Sequence, residues 1–158
     1  MVQESFPAVL YALLLQDLPE SLLLSMAVFS LLNLNIRDRR VMFVGLLQTF
    51  TNLVRLLPIA FGMHSVILII SISVYTRLFT RTRLSNALLA TLVCFAAIVT
   101  AELIYVKPLL SYTGLQYEEV FANPFLRAAF ALPDMMVLLA LALAKDYYNR
   151  KRGLVCRN

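Results

Sequence analysis

Gln48, Asn52 and Arg55 are spaced i, i+4 and i+7 within the apolar run VMFVGLLQTFTNLVRLL. On a helix that spacing puts all three on one face, with Thr51 beside them. A stripe of amides and a guanidinium cannot face hydrocarbon, so it must face other helices or a water-filled cavity. Arg55 and the only histidine, His64, flank a proline-glycine turn, Pro58 to Gly62. Glu20, Glu102 and Asp134 interrupt other apolar runs, and Arg127 begins the last one. At a rise of about 1.5 Å per residue, Arg55 lies about 22 Å from Arg40. On the same scale Glu20 lies about 20 Å from Leu34, His64 about 20 Å from Arg77, Asp134 about 16 Å from Lys145 and Glu102 about 27 Å from Leu84. These groups therefore share one half of a bilayer-sized layer.

Two kinds of chemistry fit that layer. In one, Arg55 is a ligand-binding or switch charge, with Glu20 and Asp134 as counter-charges and Gln48, Asn52, His64, Glu102 and Arg127 around it. In the other, Glu20 and Asp134 pair with Arg55 and Arg127 only to hold helices together, Arg55 reaches the headgroups and His64 caps a helix start. The sequence contains no Walker motif, no GxSxG and no metal-ligand spacing. His64 and Cys94 lie on different apolar runs, which argues against a cysteine-peptidase pair. The expectation is a protein that is not an enzyme and uses no metal or cofactor.

The elements that hold these residues follow from composition. Of 158 residues, 61% are hydrophobic and 15% charged, against about one half and one quarter in soluble domains. The mean hydropathy is +0.80. The net charge of +5 lies in short clusters between apolar runs rather than in a basic stripe, so nucleic acid is not an expected partner. Cys94 and Cys156 match no redox or metal spacing. The expected fold is a single all-α, polytopic membrane helix bundle over residues 1–158 with five transmembrane helices. Their apolar runs end near Asn33-Leu34-Asn35, then cover 41–57, 63–79, 84–106 and 125–144, leaving 145–158 as a short basic tail.

Three clusters, at 37–40, 77–83 and 145–157, hold 11 of the 14 basic residues. The positive-inside rule places all three in the cytoplasm, with the N-terminus outside and the C-terminus inside a cell membrane. Anionic membrane lipid is the expected contact of these clusters. The outer connection LLSYTGLQYEEVFANP carries Glu118 and Glu119. Ser5 can cap a helix whose first turn holds Pro7, but Asp17, Pro19 and Glu20 interrupt the run. Residues 5–20 therefore read either as the start of a long kinked first helix or as a short interfacial or re-entrant helix. Leu-Pro-acid occurs twice ahead of an apolar run, in DLPESLLLSMAVF and ALPDMMVLLALAL.

The order of features is Leu-Pro-Glu, a basic turn, Arg-Leu-Leu-Pro, Phe-Gly-Met-His, a second basic turn, Asn-Pro-Phe-Leu-Arg, and a last helix ending in Lys and Arg. It resembles the N-terminal membrane sensor region of sensor histidine kinases of Gram-positive bacteria, over residues 18–152. No phosphoacceptor helix or ATP-binding domain follows KDYYNRKRGLVCRN. The resemblance thus implies a sensor or regulatory module acting on a kinase-type partner, without catalysis of its own. In size, helix count and polar layer the chain is also similar to substrate-capture subunits of vitamin transporters and to a small membrane protein of the bacterial cell-shape machinery. Those likenesses imply a small-molecule ligand with a transporter partner, or a scaffold.

Overall fold

The computed structural model describes residue 11 and residues 13–53, 63–114 and 124–153. Five helices build this part: α1 (Leu18–Leu31), α2 (Arg39–Thr51), α3 (Met63–Thr80), α4 (Leu84–Thr113) and α5 (Pro124–Lys151). A π-helical turn, Leu13–Asp17, runs directly into α1. Among the described residues there is no β-strand. Successive helices pack side by side, α5 returns to α1, and α1 also touches α4. The result is an all-α bundle with α1 as its most enclosed member. Within Leu14–Leu31, 44% of residues are buried, against 22–28% in the other long apolar helices.

Four helical segments are long and apolar enough to cross a membrane: Leu14–Leu31, Met63–Thr80, Leu84–Thr113 and Ala128–Lys151. The side chains are sorted as lipid demands. Leu103, Ile104 and Met136 are 70% exposed on the outside. Ser21, Ser25, Gln48, Asn52, Ser73, Thr91 and Asp134 are buried inside, among Ala27, Val28, Phe29, Ile72 and Leu138. Water would reverse that pattern; in hydrocarbon, the protein interior is where polar side chains find partners. The chain thus has the build of a multi-pass membrane protein.

Helix ends follow local chemistry. α1 stops in a Schellman turn: Asn33 takes a left-handed φ of 59°, and its N–H bonds Ser30 O while Leu34 N–H bonds Phe29 O at 2.9 Å. Asp38 then caps α2 by accepting from Arg40 N–H at 3.1 Å. α2 and α1 approach closely at Gly45, where an added Cβ would meet Leu22 Cδ2 at 2.6 Å and Leu22 Cα at 3.1 Å.

One open boundary is decided and two others differ from those expected. Of the two readings of residues 5–20, the described part, 13–20, fits the start of a long first helix, because the π-turn carries the chain continuously into α1. Pro19 has no N–H to return to the previous turn, and widening that turn re-registers the carbonyls. α4 continues past the expected end at 106 to Thr113, because Pro108 removes a single hydrogen bond and Gly114, at φ 67°, is the residue that stops the helix. α5 continues past 144 to Lys151, so the first part of the basic tail, residues 145–151, is helical. Asp146 and Asn149 extend its buried stripe there. The second helix is described as far as residue 53. Arg55, the Pro58–Gly62 turn, Ser5, Pro7, Glu118, Glu119 and Cys156 lie outside the described residues, as does the side chain of Arg127.

The three basic clusters come together at one end of the bundle. Arg40 and Arg81 line one cleft, while Asn149 on α5 donates to Ser30 O near the end of α1 at 2.8 Å. Below, this is the basic end, and the opposite one is the far end.

Candidate functional site

The polar layer expected toward the far end divides into two parts that meet on α1. The first joins α1, α2 and α3. Gln48 is 1% exposed. Its Nε2 donates to Leu68 O at 3.1 Å, and its Oε1 accepts from Ser71 Oγ at 3.0 Å. One turn on, Asn52 Nδ2 donates to Ser21 Oγ at 3.2 Å. At the margin Thr51 and Tyr75 hydroxyls share a hydrogen bond of 3.0 Å. The i, i+4 spacing of Gln48 and Asn52 thus delivers both amides to neighbouring helices, and their described contacts are protein groups.

The second part joins α4, α5 and α1. Asp134, 6% exposed, accepts from the Tyr105 hydroxyl at 2.6 Å through Oδ2. The same hydroxyl contacts Phe130 O at 3.1 Å, so its single proton faces two acceptors. Asp134 Oδ1 is buried with no hydrogen-bond partner. Glu102 and Glu20 act electrostatically on the same hydroxyl. Of these acids, Asp134 is the one in described contact with Tyr105. Glu102 is exposed, Glu20 is partly buried, and His64 is partly buried at the start of α3.

The repeated Leu-Pro-acid pattern has a spatial counterpart. α1 and α5 both run toward the basic end and pack as parallel neighbours. Asp134, the acid of the second copy, bonds the Tyr105 hydroxyl, and Glu20, the acid of the first, adds to the negative field there. Near the basic end the same pair is tied by Ser30 Oγ donating to Ala142 O at 2.9 Å and by Asn149 reaching Ser30 O.

The buried face of α5 is one stripe: Ala131, Asp134, Met135, Leu138, Ala142, Asp146 and Asn149. It carries an acid near each end, twelve residues or about 18 Å apart. Asp146 pairs with Arg150 at 2.7 Å through Oδ2, leaving Oδ1 buried and without a hydrogen bond. Asn149 Oδ1 is likewise buried and unbonded. Each such atom forgoes roughly 1–3 kcal/mol of hydration, which makes this seam costly to hold in a single arrangement.

Sequence reasoning passed over Tyr105, Ser21, Ser71, Asp146 and Asn149. A signal for Tyr105 was present: extending the α4 stripe Ala87, Thr91, Cys94, Ile98 by two turns at helical spacing reaches it. Among the described residues, no group of three or more His, Cys, Asp or Glu side chains is arranged to hold a metal ion. Comparison with protein-family models, characterised proteins and solved structures gives no match.

Proposed function

We propose that the chain is a small integral membrane sensor or regulatory module, with the basic end in the cytoplasm and the far end outside. The observation that carries this reading is α5. It is a single helix of 28 residues that holds Asp134 in the far-end polar layer and Asp146 at the basic end, both on its buried stripe. A ligand or membrane state that changes the Asp134–Tyr105 contact then shifts α5 against α1, and the basic end of α5 passes the shift to a cytoplasmic or membrane partner of the kinase type. Such a signal acts only if it favours one packing over the other. The buried, half-bonded polar atoms of the seam supply a reason for two packings to be close in energy.

The test is a distance measurement in lipid nanodiscs. Spin labels go on Arg37→Cys and the exposed Tyr147→Cys, in a Cys156→Ser background where Cys94 is buried and unreactive. Asp134→Asn and Tyr105→Phe should each shift the distribution by about 1–2 Å, the scale of helix shifts in switching proteins. Distributions that stay identical in folded variants reject the relay.

A second reading, capture of a small solute for a transporter subunit, is favoured by the negative field that Asp134, Glu102 and Glu20 place on the Tyr105 hydroxyl, which suits a cationic solute. It predicts that such a solute raises the melting temperature of the wild type but not of Asp134→Asn.

A further inference from the structure

A cleft of about 510 Å³ opens at the basic end between α2 and α3, lined by Arg40, Leu78, Phe79, Thr80 and Arg81. Its two guanidinium groups come from different connections. Arg40 begins α2 and Arg81 follows α3, held at a left-handed φ of 57°. Arg40 Nε lies 3.6 Å from Asp38 Oδ2, and the other Asp38 oxygen is used in capping α2. The two arginines and this one aspartate sum to a single positive charge.

The wall beside those charges is apolar and faces outward. Leu78, Met42 and Phe43 are all more than half exposed. The Phe43 and Phe79 rings stack with centroids 6.3 Å apart and planes 7° from parallel. Phe43 lies three residues beyond Arg40 on the same face of α2, or about 4.5 Å nearer the bilayer centre. A ligand matching this arrangement carries one negative charge at the membrane surface and hydrocarbon immediately below it.

We infer that the Arg40–Arg81 cleft binds the phosphodiester headgroup of a singly charged anionic lipid, with its acyl chains laid over the Phe43–Phe79 pair. Guanidinium groups suit this role because their fork of N–H donors matches phosphate oxygens. A free phosphate offers the same headgroup chemistry but has nothing to place against Leu78 and Phe79.

The test is native mass spectrometry of the protein released from nanodiscs of equal phosphatidylglycerol and phosphatidylcholine. The wild type should retain phosphatidylglycerol in preference. Arg40→Gln and Arg81→Asn should each lower that preference about fivefold, the value of about 1 kcal/mol per interfacial arginine. Asparagine is chosen at 81 because it tolerates the left-handed backbone, and an unchanged melting temperature separates lost binding from lost folding. Lys151→Gln, which removes a charge elsewhere on the basic end and so tests the general surface field, should lower the preference clearly less. An equal loss in Lys151→Gln, or none in the two arginine variants, overturns the site. Displacement of the lipid by inorganic phosphate at low millimolar concentration overturns the lipid as its source.

Discussion

Gln48 on α2 and Asn149 on α5 are both buried amides, and each ties its helix to a neighbour. Gln48 uses both ends of its amide, giving a proton to Leu68 O and sharing the single proton of the Ser71 hydroxyl with that same carbonyl. Asn149 uses one end, and its Oδ1 is buried without a hydrogen bond. The same contrast separates the two regions they belong to. Around α2 the polar side chains interlock with α1 and α3, and Gly45 lets the α1 and α2 backbones close together. Along α5 each acid on the stripe keeps one oxygen unbonded. Interlocked polar groups specify one arrangement, whereas half-bonded ones penalise the arrangement they are in. α2 is therefore the fixed wall of the bundle and α5 the adjustable one.

Substitutions at the fixed wall should break this comparison most severely. Gly45→Val places a side chain where Leu22 already sits, with backbone at 3.1 Å unable to yield. It should cost about 3 kcal/mol in unfolding from mixed micelles, and Leu22→Ala should restore only part of the loss. Gln48→Leu removes two interhelical hydrogen bonds and should cost about 1.5 kcal/mol, near the upper range for such bonds in membrane helices. Tyr105→Phe should cost less, about 0.6 kcal/mol, because Phe130 O and Asp134 each lose only a shared proton. Asn149→Leu is the sharpest discriminator, being the smallest. Ser30 O keeps its bond from Asn33 N–H, and an unbonded oxygen is removed, so stability should change by less than about 0.5 kcal/mol. If Asn149→Leu destabilised the bundle as strongly as Gln48→Leu, the two walls would be equivalent.

Much of this architecture was legible in the residues. Apolar runs separated by basic clusters located all five helices, and the even spacing of those clusters required them to gather at one end. The Gln48–Asn52 spacing correctly placed both amides inside. The errors have common causes. Pro108 and the charged run after Ala144 were read as boundaries, yet one missing N–H does not end a helix whose next residues still propagate it, and Asp146 and Asn149 continue the buried period. Asp146 was counted with the arginines around it, as part of a charge cluster, when its position on the stripe was the informative property. Tyr105 was passed over because an aromatic in an apolar run looks like packing until its hydroxyl meets an acid from a helix distant in sequence. Which side chain meets Asp134 is set by the relative height of α4 and α5, and periodicity within one helix does not contain that height.

The π-turn at Leu13–Asp17 also governs how the chain tolerates changes in length. A π-turn is an α-turn with one extra residue, so deleting a single residue there lets the backbone relax to ordinary α geometry without turning α1. The same deletion between Leu22 and Phe29 would rotate everything before it by about 100° and swing Ser21 away from Asn52. The start of the first helix thus works as a slack coupling: it absorbs a change of register that the rest of the helix would transmit in full.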